Sequence, residues 1–98
     1  MTIRMEKQGN TMLLAPEGRV DTMTAPELEK TVKENLAGIS SLMFDLSDLE
    51  YISSAGLRVL LAAQKAMNAQ GEMKVCHVNE TILEIFDVTG FSDILTIE

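Results

Sequence analysis

The sequence predicts an α/β domain over residues 1–98, with a mixed sheet of four to five strands and helices mainly on one face. Three observations point there. Short alternating or apolar runs, among them Ile3–Lys7, Met12–Ala15 and Ser41–Leu46, are separated by longer segments of helical spacing. Strands that alternate with helices imply a sheet with a parallel part and right-handed crossovers. A chain of 98 residues with 46% apolar content is one domain, and burying about 60–65% of its unfolded surface supports a core without staples.

The elements follow in order. Ile3, Met5 and Lys7 alternate with Arg4 and Glu6, as in a strand, and Gln8–Asn10 is a turn. Met12–Ala15 pairs back as a second strand. Pro16 and Gly18 interrupt it, which favours an edge position or a bulge, before Val20 resumes it and Asp21 ends it. Thr24 and Glu27 have the spacing of a capping box, with Pro26 in the first turn and Leu28, Val32 and Leu36 on one stripe. That helix is expected over Ala25–Ala37, with Gly38 as its stop. Ser41–Leu46 is nearly all apolar, the pattern of a strand buried on both faces.

After the segment Ser47–Ser54, a helix is expected over Ala55–Ala69. Leu57, Leu60, Ala63 and Met67 form its inner stripe, with Arg58, Leu61, Lys65 and Asn68 on the outer side. Gly71 ends it, and Glu72–Val78 reads as the next strand. Asn79 caps a short helix to Val88 with Ile82, Ile85 and Phe86 inward, and Ile94–Ile97 reads as a last strand. In such sheets functional groups gather outside the carboxyl ends of strands. Asp21 and the segment Ser47–Ser54 each follow a strand and precede a helix, so they are expected to lie close together.

Composition excludes several classes. The net charge of −7 repels phosphate backbones and anionic lipid, and four aromatic residues without Trp make no stacking platform for nucleic acid. Nucleic acid is not an expected partner. No apolar run approaches the roughly 20 residues of a membrane span, and the N-terminus lacks the apolar core of a signal peptide. A soluble, cytoplasmic protein is expected. Cys76 has no partner for an intramolecular disulfide and reads as a small apolar strand residue.

Enzymatic machinery is not evident. His77 is the only histidine, it reads as a satisfied strand residue, and the G-x-S-x-G elbow of serine hydrolases is missing. Asp21, Asp45, Asp48 and Glu50 have the spacing of strand-end and solvated loop acids rather than of a metal loop. There is no phosphate-cradling G-x-x-x-x-G-K-[ST] loop. Neither a catalytic residue, a metal nor a cofactor is expected.

The stretch Glu50–Leu61, EYISSAGLRVLL, holds the remaining chemistry. Ser53 or Ser54 caps the helix that follows, since a serine oxygen can accept from a free N–H there. A helix N-terminus also accommodates a phosphate, through its free N–H groups and the positive end of its dipole. Both readings, cap and modification site, are open on these residues alone.

The run Asp45–Leu57, DLSDLEYISSAGL, resembles the signature of anti-sigma factor antagonists, the bacterial STAS domains. GRVDTMTAPELEK from Gly18 is similar to the family's G-x-[LV]-D before the first helix, and ILEIFDVTGFSDIL from Ile82 to its third helix and the T-G-[LF] after it. The resemblance covers nearly the whole chain. It implies that Ser54, two residues before the motif glycine Gly56, is the residue phosphorylated by a partner kinase. Asp21 and Asp45 match the family's two acids and, with Ser53 and Gly56, make up the expected surroundings of that serine. Ser53 stands where many members have aspartate, and Ala55 where many have a second serine.

The resemblance further implies a partner switch. The unmodified protein, a monomer when free, binds an anti-sigma factor that is also a serine kinase, and sigma factor is released. Phosphorylation of Ser54 ends that binding, and a metal-dependent serine phosphatase restores it. Asp21, Ser54, Arg58, Leu61 and Lys65 form the expected docking edge. The alternatives are a phosphorylation-independent scaffold or regulatory subunit, and a small-ligand binder using the cleft between Asp21 and Ser54.

Overall fold

The computed structural model describes residues 1–98. Its elements are β1 (Thr2–Gln8), β2 (Thr11–Val20), α1 (Ala25–Asn35), β3 (Ser41–Asp45), β4 (Leu49–Ile52), α2 (Ser54–Gln70), β5 (Glu72–Cys76) and α3 (Glu80–Thr89), with one 3₁₀ turn at Phe91–Asp93. The α/β class and the mixed five-stranded sheet agree with the reading of the sequence.

β2 organises the sheet. β1 runs antiparallel to it, from Gln8↔Thr11 to Thr2↔Glu17. Gly9, at the first position of the two-residue turn, has a φ of 62°, the sign a type II′ hairpin requires there. On its other side β2 pairs parallel with β3 from Thr11↔Ser41 to Leu14↔Phe44, then parallel with β4 from Gly18↔Leu49 to Val20↔Ile52. β5 lies parallel outside β3, ending at Asp45↔Cys76.

The expected interruption of β2 is only half present. A register shift occurs between Gly18 and Arg19, but the strand runs unbroken through Pro16, inside the sheet. The Gly18 N–H donates to the Asp48 carbonyl at 2.9 Å, on the β4 side. Strand direction repeats every second residue, so the Pro16 nitrogen faces the same side, after β3 has left and before β4 arrives. The missing N–H therefore breaks no ladder bond.

Other boundaries moved for identifiable reasons. β4 was not separable as a strand in the sequence because four residues are too few to show a period; Leu49 and Ile52 are its buried pair. The expected last strand, Ile94–Ile97, reduces to one bridge between Val75 and Ile97, because Phe91–Asp93 turns as 3₁₀ and the chain meets the sheet edge only at its final residues. The order is thus β-β-α-β-β-α-β-α. β3 is covered on one face only: Leu42 and Phe44 are buried, while Met43 and Asp45 on the opposite face are half-buried. His77 lies beyond β5, exposed and with a φ of 57°, and Cys76 is half-buried. Neither is the interior strand residue that the pattern of Glu72–Val78 suggested.

The core lies between the covered sheet face and the helices. Ala25, Leu28 and Val32 of α1 pack with Leu57, Leu60, Ala63 and Met67 of α2 over Met12, Leu14, Leu42 and Phe44. The expected inner stripe of α2 is buried as read. α3 closes the β4 end with Ile82 and Phe86, both fully buried. Gln70 joins the two long helices, its Nε2 donating to the carbonyls of Leu36 at 2.7 Å and Ile39 at 2.6 Å. These acceptors lie just past the end of α1, where carbonyls have no helical partner.

Gly71 is where α2 turns into β5 against the chain entering β3. A Cβ there would lie 1.9 Å from the Ser40 carbonyl oxygen, a backbone atom that cannot turn aside. Gly71→Ala is expected to cost about 3 kcal/mol, lowering the thermal midpoint by about 12 °C or more. An unchanged midpoint in a calorimetric scan would contradict the packing at this junction.

Candidate functional site

The paired ends of β2 and β4 create the site. Val20 lies opposite Ile52, and the Ser53 N–H donates to the Val20 carbonyl at 2.8 Å. The turn from β2 into α1 and the start of α2 therefore leave the sheet side by side, which brings Asp21 and Ser53–Ser54 together as expected from the strand ends.

The Asp21 turn is internally bonded. Its Oδ1 accepts from the Met23 N–H at 2.9 Å and the Thr24 N–H at 3.1 Å, and the Thr24 hydroxyl oxygen lies 3.2 Å away. The Thr24 hydroxyl has one proton, and its shorter contact, 2.8 Å to the Arg19 carbonyl, is the donating one; its oxygen accepts from the Asp21 N–H at 2.9 Å. The expected capping box does not form. Thr24 has helical dihedrals and makes no side-chain cap, because its hydroxyl is committed to the turn. Asp21 supplies the oxygen that receives N–H groups ahead of α1. The Thr24 N–H is the largest cause holding the Asp21 carboxyl below its usual range, against a smaller opposing effect of burial.

The two serines have different places. Ser53 is the N-cap of α2 in extended conformation, its oxygen accepting from the Gly56 N–H at a long 3.5 Å. Ser54 is the first residue of the helix, exposed, with no hydrogen-bond partner for its hydroxyl. Gly56 lets the helix start sit down on the strand ends. A Cβ there would be 2.6 Å from Ile52 Cγ1 and 2.7 Å from Val20 Cγ1. The motif glycine is thus a packing requirement that fixes the height of Ser54 above the sheet.

A shallow groove opens between the starts of the two helices, lined by Thr22, Pro26 and Glu29 on one side and Ala55 and Arg58 on the other. Arg58 and Lys65 are exposed, and Leu61 is half-buried rather than free on the surface. Asp45 is elsewhere. It continues the β3 register opposite Ala15, six residues before Asp21 along β2, which is about 20 Å of strand. Its partners are the Ser47 N–H and His77 Nδ1, each at 3.0 Å, and Arg4 at 3.7 Å. The structure therefore gathers Asp21, Ser53, Ser54, Gly56 and Arg58, and sets Asp45 apart. Sequence reasoning also missed the Thr24 lock and the stacking of Arg19 on Tyr51, 4.5 Å from the ring centre; the latter needs the β2–β4 register, which no local pattern reveals. No helix is long and apolar enough to cross a membrane.

The fold is that of a STAS domain, and the family model of that name matches residues 2–98. BtrV of Bordetella bronchiseptica is 33% identical, over 99% of this chain and 85% of the relative. The anti-sigma-B factor antagonist of Listeria monocytogenes is 31% identical, over 83% of this chain and 73% of its own length. Among solved structures, the anti-sigma factor antagonist SpoIIAA in its unphosphorylated form superposes with a TM-score of 0.84 at 13% identity, covering 99% of this chain and 88% of that one. The chain belongs to the STAS domain family, among the anti-sigma factor antagonists. These are regulatory binding proteins rather than enzymes.

The Asp21 turn has a pH signature. A carboxyl whose folded value lies below its unfolded value stabilises the fold above the unfolded value, near 3.8, and that stabilisation fades as pH falls through the folded value. Asp21→Asn keeps an acceptor oxygen but has no such titration. The midpoint difference between wild type and Asp21→Asn is expected to shrink as pH drops from 7 to below about 3. A difference that stays constant over that range would show that the charge of Asp21 does not hold the turn.

Proposed function

We propose that this protein is a partner switch, binding in its unmodified form an anti-sigma factor that is also a serine kinase, so that the sigma factor is freed. Phosphorylation of Ser54 ends the binding, and a metal-dependent serine phosphatase restores it. The observation that carries this reading is the division of labour between the serines. Ser53 caps α2, whereas Ser54 presents an exposed hydroxyl with no partner at the first helical position. A kinase can take that hydroxyl without breaking a bond of the fold.

Chemistry at this position favours a phosphate that is tolerated by the domain and rejected by the partner. The helix dipole and free N–H groups stabilise an anion there by about 0.3 to 2 kcal/mol. The nearby Asp21 carboxylate, already held by N–H groups of its own turn, opposes by a comparable amount near the surface. At an interface no such balance is required, and like-charge contact costs several kcal/mol. SpoIIAA, which shares this fold, has been solved in a phosphorylated form, and this supports reading a phosphorylation site in the present chain.

Docking is assigned to the edge of Asp21, Ser54, Arg58, Leu61 and Lys65. Arg58 flanks the groove beside Ser54, and half-buried Leu61 offers an apolar contact one turn on. Arginine and large apolar side chains are the usual anchors of an interface. Arg58→Ala and Leu61→Ala are each expected to weaken kinase affinity about fivefold or more. Equal affinity in both variants would place the interface elsewhere.

The phosphosite is tested by incubating the protein with its kinase and ATP and mapping the phosphate by peptide mass spectrometry. Ser54 alone is expected to be modified, with Ser53, Ser47 and Thr22 unlabelled. Ser54→Ala should bind the kinase without being labelled, and phosphorylated wild type should bind about 100-fold more weakly or worse. Continued labelling of Ser54→Ala would refute the assignment.

A further inference from the structure

The uncovered face of the sheet carries a second cluster of reactive side chains, apart from the Ser54 edge. Asp45 ends β3 and Cys76 ends β5, and the two are direct partners in the parallel ladder, so their side chains leave the same face. His77 follows with a left-handed φ of 57°, which folds its ring back over both. His77 Nδ1 lies 3.5 Å from Cys76 Sγ and 3.0 Å from Asp45 Oδ1, and the three donor atoms all fall within 4.8 Å of one another.

We propose that Asp45, Cys76 and His77 form a binding site for one divalent cation of the zinc class. A thiolate, an imidazole and a carboxylate make up a donor set suited to such borderline ions. Two of the three donor spacings are also close to those of a metal centre. Metal bonds of about 2.3 Å to sulfur and about 2.0 to 2.2 Å to nitrogen and oxygen, at tetrahedral angles, put sulfur and nitrogen about 3.6 Å apart and nitrogen and oxygen about 3.4 Å apart. The first matches the 3.5 Å observed, the second asks Asp45 Oδ1 to move a few tenths of an ångström from its present 3.0 Å, and the sulfur–oxygen pair, within 4.8 Å, has to settle at about 3.6 Å.

An aspartate–histidine pair alone explains only part of this arrangement. It accounts for the short contact from Nδ1 to Oδ1, but not for the thiol turned onto the same nitrogen. Nor does it account for a backbone conformation that non-glycine residues adopt sparingly, and that tends to collect at functional sites. The carboxylate is held from behind, as ligating carboxylates usually are. The Ser47 N–H donates to Oδ1 at 3.0 Å, and Arg4 Nη2 lies 3.7 Å from Oδ2. The arginine side takes Oδ2, which leaves Asp45 a one-oxygen ligand and the fourth coordination position to water.

Binding deprotonates the thiol. The Cys76 proton passes to solvent as the sulfur–metal bond forms, and the imidazole ligates through Nδ1 with its proton on Nε2. Burial, followed by the negative charges of Asp45 and Glu98, holds the free thiol above its usual range. The same two charges favour a cation at the sulfur. The site bridges the turn that enters β4 and the loop that enters α3.

The test uses the full chain without an affinity tag, titrated with Co²⁺ alone under reducing conditions that do not chelate metal. One Co²⁺ per chain is expected to give a thiolate-to-cobalt charge-transfer band in the near ultraviolet, which Zn²⁺ then bleaches. Cys76→Ser removes the band, and His77→Ala and Asp45→Asn each weaken Co²⁺ binding about tenfold or more. All three side chains lie outside the buried core, so these variants retain the fold, checked by circular dichroism. The proposal is overturned by the lack of a band, by undiminished affinity in His77→Ala and Asp45→Asn, or by a band that needs two chains per ion.

Discussion

The parallel pairing of the last residues of β2 and β4 is the contact on which the rest of the site depends. The Val20↔Ile52 pair and the bond from the Ser53 N–H to the Val20 carbonyl fix where both chain segments leave the sheet. Gly56 then settles onto Val20 and Ile52, at a distance no other residue allows. These contacts determine the position of the first turn of α2, and the position of that turn determines what Ser54 can meet. The bulge between Gly18 and Arg19 and the gap at Pro16 belong to the same device. They let one strand exchange β3 for β4 without leaving unpaired donors in the sheet.

From this frame the energetics of the proposed switch follow. Asp21 is not a free charge waiting for a cation, since two N–H groups of its own turn donate to its Oδ1. Ser54 is not needed as a cap, since Ser53 has that place. A group added to Ser54 therefore perturbs the fold by amounts that are small against a domain stability of about 5 to 15 kcal/mol, and changes mainly what an approaching surface encounters. A regulator built on a rigid domain needs this separation between the energy of folding and the energy of docking.

Much of this was legible in the sequence, and the exceptions have physical causes. The helices α1 and α2, the inner stripe of α2, Asn79 as the cap of α3 and the closeness of Asp21 to the serines all follow from periodicity and strand-end logic. The Asn79 side chain accepts from the Ile82 N–H at 2.9 Å, as a cap should. What failed was whatever required strand register or competition between partners. β4 is too short to show a period. The Thr24–Glu27 spacing suits a capping box, but Asp21 and the Arg19 carbonyl compete for the same hydroxyl. His77 reads as a strand residue until its φ takes it out of the ladder. Asp45 belongs to the signature by position in the sequence, yet the pairing of β3 with β5 sends it to Cys76 and His77 instead of to Ser54.

The local character of the proposed switch is most directly tested by amide hydrogen exchange across α2, Ser54–Gln70, in the unmodified and the Ser54-phosphorylated protein. Protection over Leu57–Met67 should be the same in both forms, and their thermal midpoints should agree within a few degrees, while kinase binding is lost. Loss of protection along that helix, or a large fall in midpoint, would mean that the phosphate acts by disrupting the domain rather than by changing the surface it offers.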